Sequence, residues 1–410
     1  MAVHPLENLP LLSTPPSPAL PLMLLLGAIA AVAPLSIDMY LPALPLIASD
    51  LAASSARLQQ SVAVFLFGFA LCQLVYGPLS DRIGRRPVLL FGLLLFTAAS
   101  AACTLVNSAE QLLLTRLLQA LGGGASAVVI NAVVRDRYQG PAAARVFSLV
   151  IMTMTLAPLL APSIGSLLLQ VSGWRAIFLL LTLQGLTLTL WVACYLPETL
   201  PPARRRQQPW RQLFAGYLSV LRHRQAMGHL LCSALAFAAM FAFITGSPFV
   251  YIGLFQVSEQ LYGVLFGCNV LLLMAANGFN SRYVMKTGLH PMIVAGLAIQ
   301  SGCGLVLMLA ALSGLLTLTL TVLCCALFIG AIGLLAPNTS AAVVAPFEHH
   351  AGAASALMGS ARFFCGALAA MLVALLDDGT AMPMVTVMGG CALAAAGCYA
   401  ILARAPSANA

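Results

Sequence analysis

Three ionisable side chains stand in stretches that otherwise offer them no water. They are Asp38 in PLSIDMYLPALP, Arg116 in LLLTRLLQALGGG and Arg362 in SALMGSARFFCG. No other charge lies between Leu20 and Ser49. A carboxylate in such a place changes its charge only by taking or giving a proton. A guanidinium supplies a permanent charge and five N–H donors in a rigid fork. In hydrocarbon each costs several kcal/mol unless it pairs or faces a water-filled cavity, which makes each a functional candidate. The structural alternatives are specific. Asp38 and Arg116 can snorkel to the interface, and Arg362 can be tied to helix carbonyls.

These groups sit in a chain of 410 residues that is 61% hydrophobic, only 7% charged, and has a mean hydropathy of +0.99. Soluble domains carry about 25% charged residues, so a soluble globular protein is excluded. Reading windows of roughly 20 apolar residues, enough to cross a bilayer core, gives twelve spans. They fall near 20–47, 58–80, 87–106, 111–134, 146–170, 176–196, 226–254, 260–281, 289–310, 314–338, 351–376 and 382–403. Residues 1–18 contain no Lys or Arg and so lack the basic start of a cleaved signal peptide; the first span is expected to be retained. The eleven cysteines lie almost entirely in apolar runs without metal-ligand spacing and read as small apolar residues; no metal site is expected.

Of the nineteen Lys and Arg, all but Arg57, Arg175, Arg116 and Arg362 fall in loops or tails on one side if the N-terminus is cytoplasmic. The positive-inside rule therefore places both termini in the cytoplasm. It also assigns the net charge of +8 to membrane edges rather than to a nucleic-acid partner. The stretch 197–225, basic and proline-rich, separates two sets of six spans. The expected organisation is a tail at 1–19, a first half at 20–196, the linker at 197–225, a second half at 226–403 and a tail at 404–410. GPLSDRIGRRP after the second span and GFNSRYVMKTGLHP after the eighth suggest duplication.

At helical rise Asp38 lies about 7 Å and Arg116 about 10 Å from the midplane on the same outward side, so they can pair or share a cavity. Arg362 lies within a few Å of the midplane. Arg116, Ala120, Gly123, Ala127 and Asn131 share one helix face, suited to close packing or to a cavity wall. Small residues recur at Ala157, Ala161 and Gly165 with Pro162, and at Gly263 and Gly267. Such faces let helices approach closely and rock.

These residues resemble a known family. GPLSDRIGRRPVLL is similar to the loop 2–3 signature of the major facilitator superfamily, LLLTRLLQALGGG to its fourth-span signature and APLLAPSIGS to its antiporter signature. Alanine replaces glycine at Ala120, Ala157 and Ala161. PLSIDMYLPALP, VVINAVVRDRY, PETLPP, GSPFVYI and FNSRYV further resemble the bicyclomycin-resistance (Bcr/CflA) drug:proton antiporters.

The resemblance implies an all-α polytopic inner-membrane protein of two six-helix halves. It further implies a monomer without a cofactor, exporting drugs against protons. By the same resemblance Asp38 and Arg116 couple the proton, and Gly77, Asp81, Arg82, Gly84, Arg85 and Arg86 form a conformational latch. Asp81 is expected near a helix N-terminus such as that at Gly352, with the arginines bridging the halves. The alternative for the arginines is topology alone. Tyr40, Asn131, Asn269 and Arg362 are expected to line the substrate cavity. With Asp38 ionised, Arg116 and Arg362 leave that cavity net positive, which favours neutral, zwitterionic or weakly anionic substrates. A proton-coupled metabolite transporter is the alternative cargo reading. A membrane enzyme is disfavoured because all six histidines are terminal, in loops or near span ends.

Overall fold

A computed structural model describes residues 20–205, 210–347 and 350–403. The expected tails at 1–19 and 404–410 and the linker residue Arg206 lie outside them. Twelve helical spans cross the molecule: Leu20–Asp50, Ser55–Ile83, Arg85–Thr104, Ala109–Arg137, Gly140–Ser172, Arg175–Tyr195, Arg224–Leu254, Glu259–Thr287, Leu289–Leu312, Leu318–Val344, Ala351–Leu375 and Met382–Ala403. The number and order agree with the sequence reading. Several run further than expected, the fifth beginning at Gly140 and the tenth reaching Val344, because the helices continue beyond the apolar window.

Local chemistry sets the ends. Ser54, Ser108, Ser258 and Thr317 cap the second, fourth, eighth and tenth spans by accepting a backbone N–H three residues on. Gly84 (φ +111°) turns the chain between the second and third spans, and Gly288 (φ +82°) does so between the eighth and ninth. The two turns occupy corresponding places in the two halves, as the sequence echo suggests.

The first span is not one helix. It runs as Leu20–Ala30 and Val32–Asp38, breaks at Met39–Tyr40, and resumes through Leu41–Ala43 to Leu44–Asp50. Pro42 has no N–H for the Asp38 carbonyl and Pro45 none for Leu41, so the proline spacing accounts for the break. The expected packing face of the fifth span closes on it. Ala157, Ala161, Pro162 and Gly165 are all buried, and a side chain at Gly165 would run into the Met39 carbonyl oxygen.

The halves meet along two pairs of spans. Gly263 and Gly267 of the eighth lie against Ser163 and Leu159 of the fifth, and Ser166 Oγ donates to the Glu259 carbonyl (2.7 Å). The second and eleventh spans join through Phe69–Phe363 (ring centroids 4.6 Å apart) and Phe67–Phe364 (6.2 Å). The linker holds a helix, Trp210–Arg222, unforeseen in the sequence. Its Tyr217 hydroxyl reaches the Leu74 carbonyl (3.4 Å) in the first half, while Gly216 lies by Ala353 in the second. The linker thus spans both halves at the end bearing Arg82, Arg85 and Arg224, called here the basic end. The far end carries the ion pairs Arg57–Glu110 (3.2 Å) and Arg175–Asp50 (2.9 Å).

Candidate functional site: a buried guanidinium beside a broken helix

Arg116 is fully buried, at 0% exposure. Its guanidinium lies between the rings of Tyr40 and Phe65, 4.2 Å from each centroid. Nη1 donates to Gln119 Oε1 (2.5 Å), and Gln119 Nε2 donates to Ser100 Oγ (2.8 Å). Nε and Nη2 have no partner. Two aromatic faces compensate part of the charge, but the N–H groups of two nitrogens remain aimed at nothing among the described residues. Tyr40, also fully buried, is fixed by its hydroxyl on Ser61 Oγ (3.1 Å) and so holds the guanidinium.

Asp38 sits two residues before Tyr40, at the last turn before the break, and is 5% exposed. Among the described residues no ion pair joins it to Arg116, and its carboxylate accepts no hydrogen bond. In the second half, the Tyr262 hydroxyl of the eighth span is 3.1 Å from Ser247 Oγ in the seventh. Depth along a helix is readable from sequence; the side a residue faces is not. Of the two arrangements open in the sequence, pairing is not the one formed.

On the second-half side, Asn269 is buried with both amide atoms unpartnered. The Thr245 hydroxyl is likewise buried and unpartnered. Tyr251, Tyr262, Phe243 and Phe266 pack ring to ring at about 6 Å and close this level toward the far end. Toward the basic end the site is more open: Asn131 is exposed, and Arg362 is half-buried. Ala120 and Gly123 pack against Gly68 and against Phe96 and Val32, so that stretch of the fourth span is a packing face that opens through half-buried Ala127 to exposed Asn131.

Arg362 takes a structural seat. Nε donates to Ser233 Oγ (2.8 Å), Nη2 to Ser340 Oγ (3.0 Å) and the Ala336 carbonyl (3.2 Å), and the group lies over Phe237 (4.4 Å). It joins the seventh, tenth and eleventh spans while remaining at the wall of the open side.

The loop 2–3 residues form a charge cluster inside the first half. Arg85 pairs with Asp81 (2.6 Å) and Asp136 (3.0 Å) and donates to Ser80 Oγ (2.7 Å). Arg86 Nη2 donates to the Ala193 carbonyl (2.6 Å). Glu198, just past the sixth span, accepts the backbone N–H groups of Arg85 (3.0 Å) and Arg86 (3.3 Å) and so caps the third span. Gly84 leaves the room, since a side chain there would strike the Glu198 carboxylate. Gly77 faces Val128 with ordinary clearance, and Arg82 lies half-buried in the last turn of the second span. Among the described residues Asp81 makes no hydrogen bond to Gly352; it meets the arginine one turn on, the partners of Arg85 and Arg86 lie in the first half and at Glu198 just past it, and the capping carboxylate is Glu198.

Sequence reasoning missed Glu198 as a site residue, and also Gln119, Gln300 and the Asn280–Asn338 pair (2.6 Å), which joins the eighth and tenth spans. Gln119 and Gln300 are amides in apolar runs, a signal that gains meaning only with their partners.

Comparison with known proteins agrees with this architecture. Residues 26–370 match the Major Facilitator Superfamily. A bicyclomycin resistance protein homologue of Haemophilus influenzae is 32% identical across 90% of this chain and 92% of its own. A chloramphenicol resistance protein of Pseudomonas aeruginosa is 30% identical across 88% of this chain and 86% of its own. The crystal structure of a D-xylose–proton symporter shares the fold, with a TM-score of 0.72 at 15% identity over 93% of this chain and 97% of that one. With twelve spans in two halves and a match along most of its length, this chain belongs to the Major Facilitator Superfamily.

Proposed function

We propose that the protein exports small neutral or zwitterionic drugs, driven by protons moving inward, through alternating access. The observation that carries this reading is the unsatisfied pair of donors on fully buried Arg116 beside the break at Asp38. A buried cation without a carboxylate partner makes the local field depend on whether the one nearby carboxylate carries its proton. Rocking that changes the access of Asp38 to water then changes the charge balance of the site, and cargo moves on the opposite half-cycle.

The buried hydrogen-bonding groups free to meet cargo are Asn269 and Thr245; Asn131 is exposed on the open side, where Arg362 supplies charge while its Nε and Nη2 stay engaged. All but Arg362 are neutral, which suits molecules rich in hydrogen-bonding groups. The names of the relatives, bicyclomycin and chloramphenicol resistance, fit that class. The Arg and Lys content of the basic end supports a cytoplasmic placement of that end in a bacterial inner membrane, and the protein is taken to work as a monomer without a cofactor.

Purified protein in liposomes tests this directly. An imposed proton gradient should drive chloramphenicol against its own gradient, and dissipation by an ionophore should stop it. Accumulation that persists after dissipation rejects the reading.

A further inference from the structure

At the far end, where the halves meet, a cavity of about 290 Å³ is lined by Ser55 and Gln59 of the second span and by residues of the seventh, eleventh and twelfth. Phe249, Val373, Pro383 and Met384 make its walls apolar. Two of its polar groups offer free acceptor oxygens. Gln59 is only 2% exposed, and its Oε1 has no hydrogen-bond partner. Asp377 accepts a hydrogen bond from Ser55 across the seam through Oδ2, and Oδ1 accepts none.

Among the described residues no Lys, Arg or His lines the cavity. The neighbouring cation, Arg57, is turned to Glu110 and Gln60. The neighbouring acid, Asp378, is occupied by the Thr380 backbone and hydroxyl (2.9 and 2.6 Å), which hold its carboxyl below the usual carboxylate range. Asp377 is therefore, among the described residues, the one ionisable group facing this space. A buried amide oxygen without a donor, a carboxylate without a cation, and apolar walls that include an aromatic ring call for the same guest: several N–H donors, one positive charge and an apolar body.

We propose that this seam is a second small-molecule site, distinct from the Arg116 level, that takes a protonated organic amine. The ammonium lies between Gln59 Oε1 and the Asp377 carboxylate, and the apolar body lies against Phe249 and Met384. Walls from both halves build the site, so separating the halves at this end dismantles it. Occupancy and the closed far end then favour one another.

Calorimetry on the full chain in nanodiscs tests the site without any transport. The probe is 2-phenylethylammonium, and 2-phenylethanol is its neutral counterpart of nearly equal shape. The ammonium should bind at least tenfold tighter than the alcohol. Asp377→Asn should weaken it at least tenfold and Gln59→Leu at least fivefold, while Asp378→Asn leaves it within twofold. Absence of ammonium binding, equal affinity for the two probes, or unchanged affinity in either Asp377→Asn or Gln59→Leu overturns the proposal. Because binding is read directly, loss of chloramphenicol transport would not be mistaken for loss of this site.

Discussion

Gly165 of the fifth span lies against the Met39 carbonyl oxygen so closely that no Cβ fits between them. The contact places the flattest point of one helix on the broken point of another, one residue beyond Asp38. Movement of the fifth span is thereby passed to the segment holding both Asp38 and Tyr40, and through the Tyr40 ring to Arg116. Gly165→Ala should reduce export at least tenfold while membrane insertion is retained, as judged by yield and monodispersity. Gly302→Ala, where a side chain meets nothing within 4 Å, should keep export within twofold.

The Glu198 cap predicts a loss of stability. Glu198→Gln removes a negative charge from a helix N-terminus, a change of about 0.3–1 kcal/mol, and thermal unfolding should fall by about 1–2 °C. Gly84→Val should fall further, because it demands a φ of +111° from a β-branched residue and strikes the carboxylate. A Gly84→Val protein that unfolds no earlier than Glu198→Gln would contradict the steric account.

Arg116→Lys keeps the charge but not the shape. An ammonium cannot lie flat between two rings and reach Gln119 at once. Transport should fall at least tenfold, and Phe65→Leu, which leaves the charge and removes one ring, should fall less. Equal transport by Arg116→Lys and the parent would show that charge alone matters at this position.

The sites differ in how far sequence exposes them. Asp38, Arg116 and Arg362 were legible because a charge in an apolar run is conspicuous. The twelve spans and the Gly84 turn were legible for the same reason of contrast. The azimuth of Asp38 was not, because a helix broken by Pro42 and Pro45 no longer follows the regular face that spacing assumes. Arg362 read as a cavity residue from depth alone; its anchors, Ser233 and Ser340, come from spans far apart in sequence. Gln119 and the Asn280–Asn338 pair stayed hidden because neutral amides in apolar runs become informative only once partners are known.

A single titrating carboxylate implies one proton in for each drug molecule out. For a neutral drug that cycle carries one positive charge inward, so an imposed potential, negative inside the compartment that protons enter, should accelerate export of chloramphenicol. Rates indifferent to voltage would contradict this stoichiometry.

The central claim is that Asp38 carries the coupled proton. Asp38→Asn in everted vesicles should still exchange labelled for unlabelled drug at a rate within a few-fold of the parent, because the rocking core is intact. It should fail to accumulate drug under an imposed proton gradient, because an amide exchanges no proton. Accumulation by Asp38→Asn to the parent's level would contradict the account.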